Sequence, residues 1–141
     1  MRFGTIAIII ITILAVGLVS AQNTPVIKQV PLQQTSPVSG QQMFSTYCAV
    51  CHGVNAQGNG PAVAALKKSP GDITKLAVNN HGKFPDDRVS MSITGSSGIA
   101  AHGSNEMPIW GDLFRSISSD RAMTHLRISN LTDYLKSIQS K

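Results

Sequence analysis

The sequence predicts an all-α domain, and three observations support that fold class. Apolar residues near the C-terminus recur three or four positions apart, which gives one apolar face to a helix over about residues 120–139. Proline and aspartate, which are common at helix starts, precede several short segments upstream. No stretch shows the sustained alternation of apolar and polar residues that is typical of strands. The periodic residues of the last helix are Ile128, Leu131, Leu135 and Ile138.

Four shorter helices are predicted upstream of this one. The first covers residues 40–50, and the second covers residues 61–68, where a proline occupies the first turn. An aspartate caps the third, residues 72–78. The fourth covers residues 85–94, where two aspartates lie near the positive end of the helix dipole. The stretch that follows, residues 95–103, is rich in Gly and Ser and is predicted to be a loop.

The N-terminal segment has the features of an export signal. Arg2 supplies a positive charge, residues 6–19 are almost entirely apolar, and a Val-Ser-Ala sequence that ends at Ala21 provides a cleavage site. We therefore assign residues 1–21 to a signal peptide. An uncleaved membrane anchor is the alternative, because the apolar run lies between signal-peptide length and the about 20 residues of a spanning helix.

The rest of the chain is predicted to be a linker followed by one domain. Residues 22–38 are polar, contain three prolines and lack helical periodicity, so we expect a flexible linker. Residues 39–141 then form a domain with a single core. Aromatic residues make up only 5% of the chain, a small supply for a core, and a large buried cofactor would compensate.

The charge of the chain argues against nucleic-acid binding. The formal net charge is +5, and the basic residues are scattered along the sequence. Nucleic-acid-binding proteins usually cluster their Lys and Arg residues. A diffuse basic surface suits either the steering of an acidic protein partner or simple solubility.

The only two cysteines of the chain form the motif Cys48-Ala49-Val50-Cys51-His52. Two thiols three positions apart on one helical turn can add to the two vinyl groups of a haem. The adjacent histidine can then supply an imidazole nitrogen to the iron. This spacing is the attachment signature of c-type haem, and export from the cytoplasm agrees with it.

Three other interpretations of the cysteine pair have less support. A disulfide would close a short loop and remove little chain entropy. A thioredoxin-like dithiol normally lies beside a βαβ pattern, which the sequence lacks. A structural zinc site would need a second pair of ligands of this kind, and the chain has no further cysteine.

Over about residues 39–139, the sequence resembles the class I cytochromes c, a family with one haem per domain. The attachment motif is highly specific, and the other matching segments add weight because they occur in the family's order. These segments are residues 40–48, residues 48–53, Gly58-Asn59-Gly60-Pro61, Met107-Pro108 and Leu131-Thr132-Asp133-Tyr134-Leu135.

The resemblance implies a cytochrome c-like fold of about five short helices around one covalently bound haem c, which contains iron. It also implies that the first helix crosses the last, so that Gly40 and Phe44 meet Leu131 and Tyr134. Gly40 would permit a close approach, because glycine has no Cβ.

The resemblance also implies a set of haem-binding residues. Cys48 and Cys51 would attach the haem, and His52 would be the proximal iron ligand. The carbonyl of Pro61 would accept a hydrogen bond from the other ring nitrogen of His52. Met107, which follows the Gly/Ser-rich loop and precedes a proline, would be the distal iron ligand.

Other residues could also supply the distal ligand. His102 is the main alternative ligand, and bis-histidine ligation would give a lower reduction potential. Met91 and Met123 fall within predicted helices, where core packing is the usual role of methionine. Trp110 and Tyr134 are expected to pack around the haem or in the core.

The expected function is electron transfer rather than catalysis, with unidentified redox proteins as partners. The sequence has no constellation of nucleophile, base and acid for hydrolysis. The expected location is the periplasm or another extracytoplasmic space, with membrane association only through the N-terminal segment. Two alternatives remain at this point: a haem subunit of a larger oxidoreductase complex, and a haem enzyme or sensor with an open iron position.

Overall fold

The computed structural model describes residues 33–96 and 107–141. Within these two stretches every regular element is helical, so the predicted all-α class is confirmed. The predicted signal peptide (residues 1–21), most of the predicted linker and His102 lie outside the described residues. None of the helices in the described part of the chain is both long and apolar enough to cross a membrane.

The first predicted helix forms as three consecutive helical segments. Helix α1 (Gly40–Met43) continues into a π-helix (Phe44–Cys48) and then into helix α2 (Ala49–His52). In the π-helix the N–H of Ala49 donates to the carbonyl of Phe44, five residues back. Helical structure ends at Gly53, whose φ of 79° is disfavoured for residues with a Cβ.

The middle of the chain forms only short 3-10 helices. They cover Pro61–Ala65, Ile73–Lys75 and Val78–Asn80. The helix predicted over residues 61–68 is therefore shorter than expected. No residue of Pro61–Ala65 is buried, so no apolar face supports a longer helix.

Three α-helices complete the described part of the fold. They are α3 (Asp86–Thr94), α4 (Trp110–Ile117) and α5 (Arg121–Ser137). The predictions for α3 and α5 are confirmed. The side chain of Asp120 caps α5 by accepting a hydrogen bond from the N–H of Ala122 at 2.8 Å.

The crossing of the first and last helices forms one half of the core. Gly40 is buried against α5, where a Cβ would lie 2.6 Å from the Cβ of Tyr134. The rings of Phe44 and Tyr134 are 5.5 Å apart between centroids. Leu131 is fully buried in the same cluster. The predicted contact between these two helices is confirmed.

A short N-terminal strap, residues 33–38, is held on the surface of the helices by hydrogen bonds. The hydroxyl of Tyr47 donates to the carbonyl of Gln33 at 2.6 Å, and Asn130 donates to the carbonyl of Pro37 at 3.1 Å. The guanidinium of Arg127 donates to both Thr35 oxygens. The sequence places these residues in a flexible linker, yet in the structure they are part of the folded unit.

Candidate cofactor site

A mostly apolar cavity lies between the first helical segments, α3 and α5, and is partly open to solvent. Its apolar lining residues are Phe44, Ile73, Leu76, Pro85, Val89, Ile93, Trp110, Leu131 and Leu135.

Three of the predicted site residues line this cavity together: Cys48, His52 and Met107. Cys48 ends the π-helix, and His52 ends α2 one turn later. Met107 approaches from the segment before α4 and is partly buried. The fold therefore brings a methionine sulfur to the cavity that the attachment motif lines, although the two are far apart in sequence.

Cys51 and Pro61, the other predicted site residues, are not among the residues that line the cavity. Cys51 is partly buried in α2, next to His52. Pro61 begins the first 3-10 helix, immediately after a loop that is hydrogen-bonded to α2. The acceptor role of the Pro61 carbonyl stays a prediction.

That loop fixes the backbone that carries Cys51 and His52. The N–H of Gly58 donates to the carbonyl of His52 at 2.8 Å, and the N–H of Gly60 donates to the carbonyl of Cys51 at 3.1 Å. A Cβ on Gly60 would lie 2.6 Å from the carbonyl carbon of Cys51, so a side chain is excluded there. The close backbone contact holds the attachment motif in one conformation.

The environment of Cys48 favours an uncharged sulfur. Burial, and to a smaller extent the nearby Cys51 thiol, raise the pKa of the Cys48 thiol to about 12. A thiolate ligand to a metal such as zinc would be penalised there by desolvation. A thioether, which carries no charge, is compatible with this environment.

The C-terminal end of the chain positions another wall of the cavity. The side chain of Gln139 donates to the carbonyl of Ile73 at 2.9 Å and accepts from the N–H of Ala77 at 2.9 Å. These bonds tie the second 3-10 helix to the end of α5. Ile73 and Leu76 are thereby held at the cavity surface.

Sequence reasoning missed two polar residues of the cavity, Arg88 and Ser92 on α3. The helical spacing of four positions could have placed them on one face, but nothing in the sequence indicates that this face borders a cavity. The expectation that Met91 packs in the core is wrong, because Met91 is 42% exposed. Trp110 does pack as expected, with its ring 5.2 Å from that of Tyr47.

The five α-helices of the described residues and the apolar cavity lined by Cys48 and His52 define a c-type cytochrome domain. A family model described as "Cytochrome C oxidase, cbb3-type, subunit III" matches residues 35–124, more than half of the chain. The chain therefore belongs to this family of mono-haem c-type cytochromes and has its cytochrome c-like fold. Comparisons with curated proteins and with solved structures found no match.

Family membership implies covalently bound haem c, with its iron, as the cofactor. The residues of the cavity fit this group. Its walls are apolar, as the face of a porphyrin requires, and Cys48 lies where an uncharged thioether is favoured. His52 and Met107 line the cavity, and an imidazole with a thioether sulfur is a known ligand pair for cytochrome c iron.

Proposed function

We propose that this protein carries single electrons on one haem c, attached at Cys48 and Cys51, with His52 as proximal and Met107 as distal iron ligand. The observation that carries this proposal is the convergence of Cys48, His52 and Met107 on one apolar cavity. When bound, the haem iron supplies one-electron redox chemistry.

The residues around the cavity set the properties of that chemistry. Met/His ligation and burial among apolar side chains both favour a high reduction potential. The Pro61 carbonyl would hold the His52 ring in one orientation by accepting its second N–H. If His52 and Met107 both held the iron, they would exclude a substrate from it, and the protein would act as a carrier and not as a haem enzyme.

The axial ligands can be tested by optical spectroscopy of the haem-loaded protein. We expect the ferric wild type to show the weak far-red band of a sulfur-to-iron transition, and Met107→Ala to lose it. His102→Ala is the matched control and should keep the band. A band that persists in Met107→Ala, or is absent from the wild type, would contradict Met107 ligation. Immediate carbon monoxide binding by the ferrous wild type would favour an open-site enzyme or sensor.

The description of the matching family supports a second function, that of a haem subunit in an oxidase complex. In this case the domain would pass electrons to another subunit in an extracytoplasmic space. Residues 1–21 would direct export or anchor the chain, and the domain would follow them. Purification from membranes in mild detergent distinguishes the two functions. A stable complex with oxidase subunits would establish the subunit role, and a chain that purifies alone would support a free carrier.

A further inference from the structure

We propose that Arg88 binds a carboxylate of the haem at the mouth of the cavity, an inference that rests on the haem site proposed above. Arg88 lies on α3, is exposed to solvent and also lines the cavity. An exposed side chain that lines a partly open cavity is at its mouth. Among the lining residues that the structure describes, Arg88 is the only lysine, arginine, aspartate or glutamate.

The charge of Arg88 is not used by another ion pair of the described residues. The ion pairs there are Lys75 with Asp72, Arg115 with Asp112, and Lys136 with Asp86. The two acidic residues next to Arg88 in sequence do not neutralise its positive charge. Lys136 lies 2.8 Å from Asp86 and lowers the pKa of that carboxyl, mainly through their hydrogen bond. Asp87 is adjacent in sequence, and side chains one position apart on a helix do not face each other.

The surface that α3 presents to the cavity is divided into an apolar and a polar part. Val89 and Ile93 are buried and form the apolar part. Arg88 and Ser92, one turn apart, form the polar part, and the hydroxyl of Ser92 donates to the carbonyl of Arg88 at 2.9 Å. A haem has the same division, because its ring is apolar and its two carboxylates extend from one edge. The two surfaces are complementary in chemistry.

An arginine at this position would act on the haem in two ways. Its guanidinium can form two parallel, charge-assisted hydrogen bonds with a carboxylate. It would hold the pKa of that carboxylate low, since a nearby positive charge favours the ionised form. It would also raise the reduction potential, because a positive charge near the iron disfavours the ferric state more than the ferrous state.

The test compares haem-loaded Arg88→Gln with Arg88→Lys and with Arg121→Gln. Arg121 is an exposed arginine on α5 that does not line the cavity, so it controls for the loss of one surface charge. The midpoint potential is measured between about pH 5 and pH 9. A haem carboxyl whose pKa is raised above the usual carboxyl value would titrate within this range. Covalent haem content and the far-red band are recorded first for every variant.

We expect Arg88→Gln to lower the potential and to move the pH-dependent step of the potential to higher pH. At a fixed ambient potential, the ferric-to-ferrous ratio should rise about three- to tenfold, where tenfold corresponds to 59 mV for one electron. Arg88→Lys should retain most of the wild-type potential, and Arg121→Gln should match the wild type.

Two results would overturn this role of Arg88. If Arg88→Gln keeps its haem and its far-red band but follows the wild-type potential at every pH, the carboxylate contact is absent while the haem site itself stands. If Arg88→Gln and Arg121→Gln lower the potential equally, the effect belongs to overall charge. A wild type without covalent haem would overturn the proposed function together with this inference.

Discussion

At the scale of single residues, Arg127 is a buried cation whose partners are neutral among the described residues. It is 5% exposed, and its guanidinium donates to the hydroxyl oxygen of Thr35 at 3.0 Å and to the Thr35 carbonyl at 2.9 Å. The guanidinium carbon lies 5.9 Å from the centroid of the Phe114 ring. Burial of a charge is costly without such partners. The two hydrogen bonds to Thr35 therefore offset part of the cost of burying the Arg127 guanidinium.

We therefore expect Thr35→Val to lower the free energy of unfolding by about 1–3 kcal/mol, since it leaves a buried donor without its acceptor. Arg127→Met removes the cation together with its need for acceptors and should cost less than Thr35→Val. Chemical denaturation of the haem-loaded protein measures both effects. Val38→Thr, at a strap position that is 68% exposed, is the control and should be near neutral. Equal stabilities of Thr35→Val and the wild type would contradict this account of the strap.

The role of a residue could be predicted from the sequence where it belongs to a contiguous motif. Where the role depends on contacts with distant parts of the chain, it could not. Cys48, Cys51 and His52 form one contiguous motif, so their joint role is visible in the sequence. Arg88 became a candidate only when the fold placed it at the cavity. Thr35 was assigned to a linker, because a polar, proline-containing segment gives no sign of the distant arginine to which it bonds.

At the scale of elements, the crossing of α1 and α5 depends on the absence of a side chain at Gly40. A Cβ there would clash with the carbonyl oxygen of Asn130 and would lie 2.6 Å from the Cβ of Tyr134. The first contact is with backbone that cannot move aside without shifting α5. The two helices can therefore approach this closely only with glycine at this position.

We expect Gly40→Ala to lower the free energy of unfolding by about 1–3 kcal/mol, because the overpacking exceeds the gain in helix propensity. Thermal or chemical unfolding of the haem-loaded variant measures the loss. Gly71→Ala is the matched control, since nothing lies within 4 Å of a Cβ at Gly71. If Gly40→Ala were as stable as Gly71→Ala, the close approach of the helices would not be required for stability.

The predictability of each helix followed the strength of its local pattern. The 17 residues of α5 carry an apolar periodicity and a capping aspartate, and the prediction for α5 was accurate. Helix α4 has only 8 residues and was not predicted from the sequence. Its buried residues, Trp110 and Phe114, pack against Tyr47, so tertiary contacts stabilise it more than local propensity does. The π-helical hydrogen bonding before Cys48 likewise has no local sequence signal.

At the scale of the whole molecule, the described helices and the strap form one unit, and Cys48 and His52 of the attachment motif line its apolar cavity. The general fold and the attachment motif were predictable, because spacing and periodicity are properties of the chain itself. The polar mouth of the cavity was not, since it is formed by residues from separate elements. We expect all of these elements to hold one haem together.

Covalent haem attachment is tested most directly by the mass of the purified, denatured protein, measured beside that of the double variant Cys48→Ala with Cys51→Ala. Denaturation removes every haem that is held only by ligation and packing, so retained haem must be covalently bound. We expect the wild-type chain to carry one haem after denaturation, and the double variant to carry none. A wild-type chain without haem, or a double variant that retains it, would contradict the account.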